Sequence, residues 1–227
     1  NYKYDGTGKR MEVLVEMRPE IDITHLAVPK PIAYTARDGT RVHGYLTLPR
    51  GREASGLPLI ILPHGGPYGI RDKLDYDDQV QLLANRGYAV LQPNFRGSGG
   101  YGQDFYDLGV GQIGRGMQDD LDDGMDWAVA RGIADPARVC VVGGSYGGYA
   151  ALWAVIRNPE RYRCAASFAG VTDWNLILKY DRRFFTREAS RRWRQRGEGE
   201  EEFDLDDVSP YRHAETLNRP VLIAQGK

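Results

Sequence analysis

The 227-residue chain has an ordinary soluble composition, with 41% hydrophobic and 27% charged residues and a formal net charge of −1. It is long enough to bury one sizeable core, and its balanced charge gives no indication of a nucleic-acid or membrane-surface partner. No apolar run approaches the ~18 residues that span a bilayer, and the first residues show no signal-peptide pattern. We therefore expect a cytoplasmic protein, with a periplasmic location as the alternative.

Two hairpins are predicted in the first part of the chain. Residues 2–15 read as two short strands about a DGTG turn, and non-periodic residues follow through Glu20. Residues 31–35 and 42–48 flank an Asp-Gly pair, which is a strong hairpin signal.

Strand and helix signals then alternate along the chain. The fully apolar run at residues 58–63 is typical of a central parallel strand. The later predicted elements are helix 76–86, strand 88–92, helix 116–131, strand 139–142 with a helix after it, strand 164–168 and strand 220–224. This alternation predicts an α/β fold with a mostly parallel sheet and helices on both faces.

Residues 138–150 carry the strongest functional signal in the sequence, RVCVVGGSYGGYA. Strand-like residues run directly into a G-x-S-x-G motif, and a helix-compatible run follows it. A serine hydroxyl is a poor nucleophile unless it is exposed, beside a base and at the positive end of a helix, and this turn provides that setting. Ser145 is therefore the predicted nucleophile, and a plain glycine-rich turn is the alternative.

The two cysteines are predicted to be small buried hydrophobic residues. Cys140 and Cys164 both lie in apolar, strand-like runs. Because C-x-x-C spacing is absent, a disulfide or a metal site is the less favoured interpretation.

Residues 181–207 depart from the α/β pattern because charge is segregated along them. Arginines stand at positions 182, 183, 187, 191, 192, 194 and 196, and acidic residues at 198, 200, 201, 202, 204, 206 and 207. We interpret the segment as a solvated helix and loop, with a mobile cap beside the active site as the alternative.

Three motifs together resemble the catalytic domain of the prolyl oligopeptidase family of serine peptidases. They are HGGP at residues 64–67, NFRGSGGYG at 94–102 and GGSYGGY at 143–149. The similarity is to the acylaminoacyl peptidase and dipeptidyl aminopeptidase branches. It implies an α/β-hydrolase fold preceded by a β-propeller, so that residues 1–25 would be the end of the propeller and a linker, and residues 26–227 the catalytic domain.

The resemblance also implies roles at the reaction centre. Ser145 would attack the scissile carbonyl, and the oxyanion would accept hydrogen bonds from the backbone N–H of Tyr146 and of Gly65 or Gly66. His64 precedes Ser145, whereas the order in this fold is Ser, Asp, His, so we expect His64 to shape the turn instead of acting as base.

A structural ion pair is the role that the resemblance implies for Arg96. Its expected partner is Asp119 or Asp120, on the predicted helix that follows.

The stretch after strand 164–168 is similar to the segment that lines the primary specificity pocket of dipeptidyl peptidases. The implied substrate-binding residues are Tyr146, Val171, Trp174, Ile177 and Tyr180. Large aromatic side chains there would favour a compact apolar residue or proline before the cut. Trp174 is open to a second interpretation as a core residue.

The acid and the histidine of the family's triad are not in this chain. The family places its acid in a Gly-x-x-Asp pattern after the strand that corresponds to residues 220–224, and its histidine later, whereas this chain ends at Lys227. Asp173 and His213 satisfy the triad order and form a disfavoured alternative. We therefore expect a C-terminally incomplete sheet with an unpaired edge, and a catalytically near-silent fragment.

The predicted function is that of a serine peptidase that hydrolyses short peptides through an acyl-enzyme on Ser145, with no metal or organic cofactor. Two alternatives stay open: a carboxylesterase, which would lack the propeller hairpin, and a hydrolase-like module that only binds. Short peptides are the expected partners, nucleic acid and membranes are not, and the oligomeric state is open.

Overall fold

The computed structural model describes residues 2–15, 18–200 and 203–226. Within the first range, β1 (Tyr2–Asp5) and β2 (Arg10–Val13) pair antiparallel, as predicted, and all their residues are exposed. The assignment of this hairpin to a propeller stays a prediction. Positions 16 and 17 of the expected linker and the acidic positions 201 and 202 lie outside the described residues.

A seven-stranded sheet is the centre of the remaining structure. Its strands are β3 (Lys30–Thr35), β4 (Arg41–Thr47), β5 (Leu57–Ile61), β6 (Ala89–Asn94), β7 (Ala134–Gly144), β8 (Cys164–Phe168) and β9 (Val221–Ala224). Their spatial order is β3-β4-β6-β5-β7-β8-β9. The pairs β3–β4 and β4–β6 are antiparallel and the other neighbouring pairs are parallel. The predicted α/β-hydrolase architecture is confirmed.

Helices connect the parallel strands. They are α1 (Asp78–Asn85), α2 (Gln103–Asp107), α3 (Gly116–Ala130), α4 (Tyr146–Arg157), α5 (Trp174–Asp181) and α6 (Arg187–Glu198), and 3-10 turns span Ile23–His25, Leu205–Val208 and Pro210–Thr216. Side chains cap the N-termini of three helices. Asp77, Asp173 and Thr186 accept hydrogen bonds from backbone N–H groups in the first turns of α1, α5 and α6. Among the described residues, no helix has the length and apolar character needed to cross a membrane.

Both faces of the sheet are covered. Consecutive residues of a strand point to opposite faces, and the neighbours Val90 and Leu91 of β6 are both fully buried. Val90 packs with Val80 of α1, whereas Leu91 belongs to the main core with residues of α3 and α4. The prediction of helices on both faces is therefore confirmed.

Arg96 forms the predicted structural ion pair, and Asp120 is its main partner. The guanidinium donates to Asp120 at 2.7 Å and to Asp38 at 2.8 Å, and the backbone N–H of Arg96 also donates to Asp120. Burial raises the pKa of Asp120, and the hydrogen bonds from Arg96 oppose that shift. Asp119 pairs with Arg37 and Arg157 instead. The loop after β6 is thereby fixed to α3.

The prediction for the cysteines is wrong, because Cys140 and Cys164 form a disulfide. Strands β7 and β8 are parallel neighbours, and their register places Cys140 directly opposite Cys164. Two thiols that are 24 residues apart in the sequence are therefore adjacent in the sheet. Sequence periodicity does not show which strands pair or in which register, and the prediction failed for that reason.

Strand β9 lies at one edge of the sheet, and within the described residues β8 is its one partner. Its apolar side chains Leu222 and Ile223 are 68% and 54% exposed. An open edge was predicted at this strand, and the described part of the chain has one.

Candidate active site

Ser145 stands at the tight turn between β7 and α4. Its φ of 55° and ψ of −121° are unusual for a residue with a Cβ and cost on the order of 1–3 kcal/mol. The backbone holds the turn: Ser145 N–H donates to Phe168 O at 2.9 Å, and Ser145 O accepts from Tyr149 N–H at 3.0 Å. The residue is exposed, and its hydroxyl does not cap α4. The hydroxyl is thus presented at the positive end of a helix.

Glycines at two positions of the motif allow the turn to pack this closely. A Cβ on Gly147 would lie 2.1 Å from the carbonyl oxygen of Pro63, and a Cβ on Gly143 would lie 2.5 Å from the backbone of Gly147. A Cβ on Gly144 would meet nothing nearer than Phe168 O at 3.7 Å, which is ordinary contact. The first turn of α4 therefore lies directly against the segment that follows β5.

The HGGP turn borders Ser145. A Cβ built on Gly65 would be 3.5 Å from Ser145 Cβ and 4.0 Å from Ser145 Oγ. Gly66 instead faces Tyr68 and Ile70. The amide of Tyr146 lies in the first turn of α4, where backbone N–H groups have no helical acceptor. Of the two glycines predicted as oxyanion donors, Gly65 is the one that the structure places against the serine.

His64 is packed into this turn, and both of its ring nitrogens have partners other than Ser145. Its ring stacks on Phe95 with centroids 4.3 Å apart. Its Nε2 lies 2.8 Å from Ser98 Oγ, and its Nδ1 lies 2.7 Å from the carbonyl oxygen of Gly65. Burial lowers the pKa of His64 to about 4, so the imidazole is neutral at neutral pH. These contacts agree with the expectation that His64 shapes the turn.

The loop after β6 fastens the segment that follows the HGGP turn. Gly69 N–H donates to Gly97 O, and Gly99 N–H donates to Ile70 O, each at 3.0 Å. A Cβ on Gly99 would lie 2.4 Å from Gly69 O, so the two loops touch through their backbones. Sequence reasoning did not identify this support, although its residues belong to the NFRGSGGYG motif that carried the family resemblance.

Asp72 is a carboxyl group largely enclosed by the same loops. Asn94 accepts a hydrogen bond from its backbone N–H at 2.8 Å, but Oδ2 of Asp72 has no hydrogen-bond partner among the described residues. Burial, and next the charge of Asp77, raise the pKa of Asp72 to about 7. Folding therefore favours the protonated carboxyl, and the stability that this gives is lost as the pH rises toward and above 7.

Asp72→Asn is expected to raise the melting temperature more at pH 8 than at pH 5. At pH 8 the wild-type protein carries an enclosed, partly desolvated charge that the amide removes, whereas at pH 5 the folded carboxyl is already mostly protonated. Thermal unfolding of both proteins in the two buffers measures the difference, with the exposed Glu53→Gln as control. Equal shifts at the two pH values would show that Asp72 does not titrate as described.

Four of the five residues predicted to bind substrate belong to one cluster beside the turn, and two of these four are buried. Tyr146 and Trp174 are each 2% exposed, and their ring centroids are 6.1 Å apart. Val171 and Ile177 are half-buried against the same core, and Tyr180 is 50% exposed. Substrate contact by this cluster stays a prediction.

Trp174 lies inside an aromatic group. Tyr149 meets it edge-on at 4.9 Å, and Trp193 of α6 stacks on it at 6.0 Å. This packing matches the core interpretation that the sequence left open for Trp174.

Asp173 and His213 do not assemble with Ser145. Asp173 accepts from Leu176 N–H as the cap of α5 and pairs with Arg212 at 3.0 Å. His213 packs on Trp153 at 5.3 Å. Trp153 is eight residues beyond Ser145, which corresponds to roughly 12 Å along α4. The alternative triad is therefore not formed in the structure.

The arginine-rich segment contributes α6, which packs beside the HGGP loop. Trp193 meets Tyr68 edge-on at 6.0 Å, and Tyr68 Oη donates to Arg196 O at 2.8 Å. Most of the other α6 residues are exposed or half-buried. The predicted helix is present, and its action as a mobile cap stays a prediction.

Comparisons with known proteins agree with this geometry. The model of the Prolyl oligopeptidase family matches residues 74–227. Dipeptidyl aminopeptidase BIII of Pseudoxanthomonas mexicana is 37% identical over 99% of this chain and 34% of its own length. A puromycin-hydrolyzing peptidase of Mycobacterium tuberculosis superposes with a TM-score of 0.84 at 28% identity, over 99% of this chain and 35% of that one.

A third comparison supports the fold alone. The acylaminoacyl peptidase of Pyrococcus horikoshii superposes with a TM-score of 0.79 at 23% identity, over 98% of this chain and 35% of that one. The chain thus spans about a third of the length of each of these proteins.

Proposed function

Because the chain belongs to the prolyl oligopeptidase family, we propose that its protein is a serine peptidase that cleaves short peptides through an acyl-enzyme on Ser145. One observation carries the proposal: an exposed serine at positive φ with the backbone of Gly65 directly beside it. The short peptide substrates are part of the proposal. They are supported by the relative whose name is dipeptidyl aminopeptidase.

In the proposed reaction, Ser145 Oγ bonds to the scissile carbonyl carbon while a general base takes the hydroxyl proton. The carbonyl oxygen becomes an oxyanion and accepts hydrogen bonds from the N–H groups of Tyr146 and Gly65. The same proton then goes to the leaving amine, the carbon–nitrogen bond breaks, and water hydrolyses the acyl-enzyme. The neutral, engaged ring of His64 supports the turn throughout.

The general base and its acid are proposed to come from a segment that follows β9. Ser145 N–H bonds to Phe168 O, and Ala169 N–H bonds to Ala224 O, so β7, β8 and β9 end together at one edge of the sheet. Residues that continue from Ala224 therefore begin at the same edge of the sheet as Ser145, with β8 between them. This placement supports the family's arrangement, in which the acid follows this strand.

A matched amide and ester separate the proposal from its alternatives. The complete protein is assayed with a dipeptide p-nitroanilide and with the p-nitrophenyl ester of the same dipeptide. A peptidase turns over the amide as well as the ester, whereas a carboxylesterase turns over the ester alone and a binding module neither. Acetylation of the peptide's amino terminus then distinguishes release of dipeptides, which requires a free amine, from release of acylated residues.

A further inference from the structure

Arginine side chains converge on one cavity at the end of α5. The cavity has a volume of about 400 Å³ and is lined by Arg182, Arg187, Ser190, Arg191 and Arg194. The four lining residues on α6 recur at i, i+3, i+4 and i+7, a spacing that places them on one face of the helix. Arg182 directly follows α5. The cavity therefore has a wall of positive charge.

Nearby carboxylates do not balance this charge. Among the described residues, Arg194 pairs with Glu198, whereas Glu188 pairs with Arg192, which does not line the cavity. The lining arginines without a carboxylate partner in the described part of the chain are Arg182, Arg187 and Arg191. Like charges held around one cavity repel each other, so an anion bound between them would be strongly favoured.

Ser190 lines the same cavity. Its Oγ is buried and has no hydrogen-bond partner in the described ranges. A buried hydroxyl without a partner costs ~1–3 kcal/mol, and this one lies on the helix face that carries Arg187 and Arg194. The hydroxyl is therefore enclosed beside the cavity, and the guanidinium groups are what the cavity presents to a ligand.

The chemistry of the lining points to carboxylates. Guanidinium groups bind planar carboxylates through paired hydrogen bonds. The cavity volume of about 400 Å³ exceeds what a single small anion fills, so a larger acidic group is the better match.

The cavity is connected to the reaction centre through α5. Trp174, the first residue of α5, contacts Tyr146, which follows the nucleophile. The helix has eight residues, so the cavity lies roughly 12 Å from Trp174, measured along α5.

We propose that this cavity binds acidic side chains of the peptide substrate that lie away from the bond that is cut. The proposal rests on the proposed function, because it assigns a substrate preference to the same site. It makes Arg187 and Arg191 determinants of specificity.

Peptides that differ only by Glu or Gln at one position, with that position moved stepwise away from the cut, test the proposal in the complete protein. We expect a kcat/KM ~2–5-fold higher for the Glu peptide, because Arg187 and Arg191 are exposed and an exposed ion pair is worth ~0.2–1 kcal/mol, and we expect a ratio that falls as salt is added. The double variant Arg187→Gln, Arg191→Gln should bring the ratio close to one. Arg192→Gln, which removes an arginine of the same helix outside the cavity, should leave the ratio unchanged.

The outcomes separate the two proposals. Equal cleavage of both peptides by the wild-type protein, or a preference that survives the double variant, overturns the acidic-substrate inference and leaves the peptidase proposal standing. If no peptide is cleaved, the peptidase proposal fails. The cavity is then tested by measuring the Kd of fluorescent tri-glutamate and of tri-glutamine for the same proteins. Tighter binding of tri-glutamate that is lost in the double variant supports the acidic-substrate inference. Equal binding of the two peptides overturns it.

Discussion

Replacing Ser145 by alanine in the complete protein is expected to lower kcat for a dipeptide p-nitroanilide by ~10⁶-fold, the loss typical of removing the nucleophile of such a triad. Without Oγ no acyl-enzyme forms, and the oxyanion donors alone leave a residual ~10³–10⁴-fold over water. The fold should be unaffected, because the lost hydroxyl is not used to cap α4. Initial rates and melting curves of the two proteins measure both expectations.

The exposed Ser55→Ala is the matched control and should keep wild-type kinetics. A Ser145→Ala protein that still cleaves the amide at a rate close to wild type would place the nucleophile elsewhere. Loss of folding together with activity would instead show that the turn depends on the hydroxyl, contrary to the contacts described above.

Gly147→Ala is expected to reduce both stability and kcat/KM. The new Cβ would lie 2.1 Å from Pro63 O, so the segment that leads into His64 and Gly65 must move. Such overpacking costs ~1–3 kcal/mol, and a displacement of about 1 Å near a reaction centre can cost ~10²-fold in rate. The melting temperature and kcat/KM of the complete protein measure the two effects.

Gly144→Ala provides a control on the other side of the nucleophile. Its Cβ would have only ordinary contact, at 3.7 Å from Phe168 O, so the variant should fold and turn over like the wild type. If both alanine variants behaved alike, close packing between α4 and the HGGP segment would not explain the glycine at position 147.

Local patterns predicted the sheet and the strand–turn–helix setting of Ser145 well, because apolar runs, turn residues and element order are properties of neighbouring residues. The strand predicted at residues 164–168 is β8 as observed, and α3 ends within one residue of its prediction. The same patterns favoured Ser145, whose backbone has the conformation that such a turn requires.

Features that depend on distant contacts could not be predicted. The disulfide needs the register of β7 against β8, and the choice between Gly65 and Gly66 needs the distance from the HGGP turn to Ser145. The burial of Trp174 depends on Trp193, which belongs to the arginine-rich helix α6 and stacks on Trp174. The charged residues of α6 predict a helix that faces solvent. The cavity lined by its arginines could be found only from the packing of α6 in the structure.

The assignment of Ser145 as nucleophile is tested most directly by labelling the complete protein with a fluorophosphonate. After reduction and digestion with trypsin, the peptide of residues 139–157 contains Ser145 and no other serine, so mass spectrometry locates the adduct without ambiguity. We expect one phosphonyl group per protein, on this peptide, and none in Ser145→Ala. An adduct on a different peptide, or an unlabelled Ser145 in a protein that cleaves peptides, would contradict the assignment.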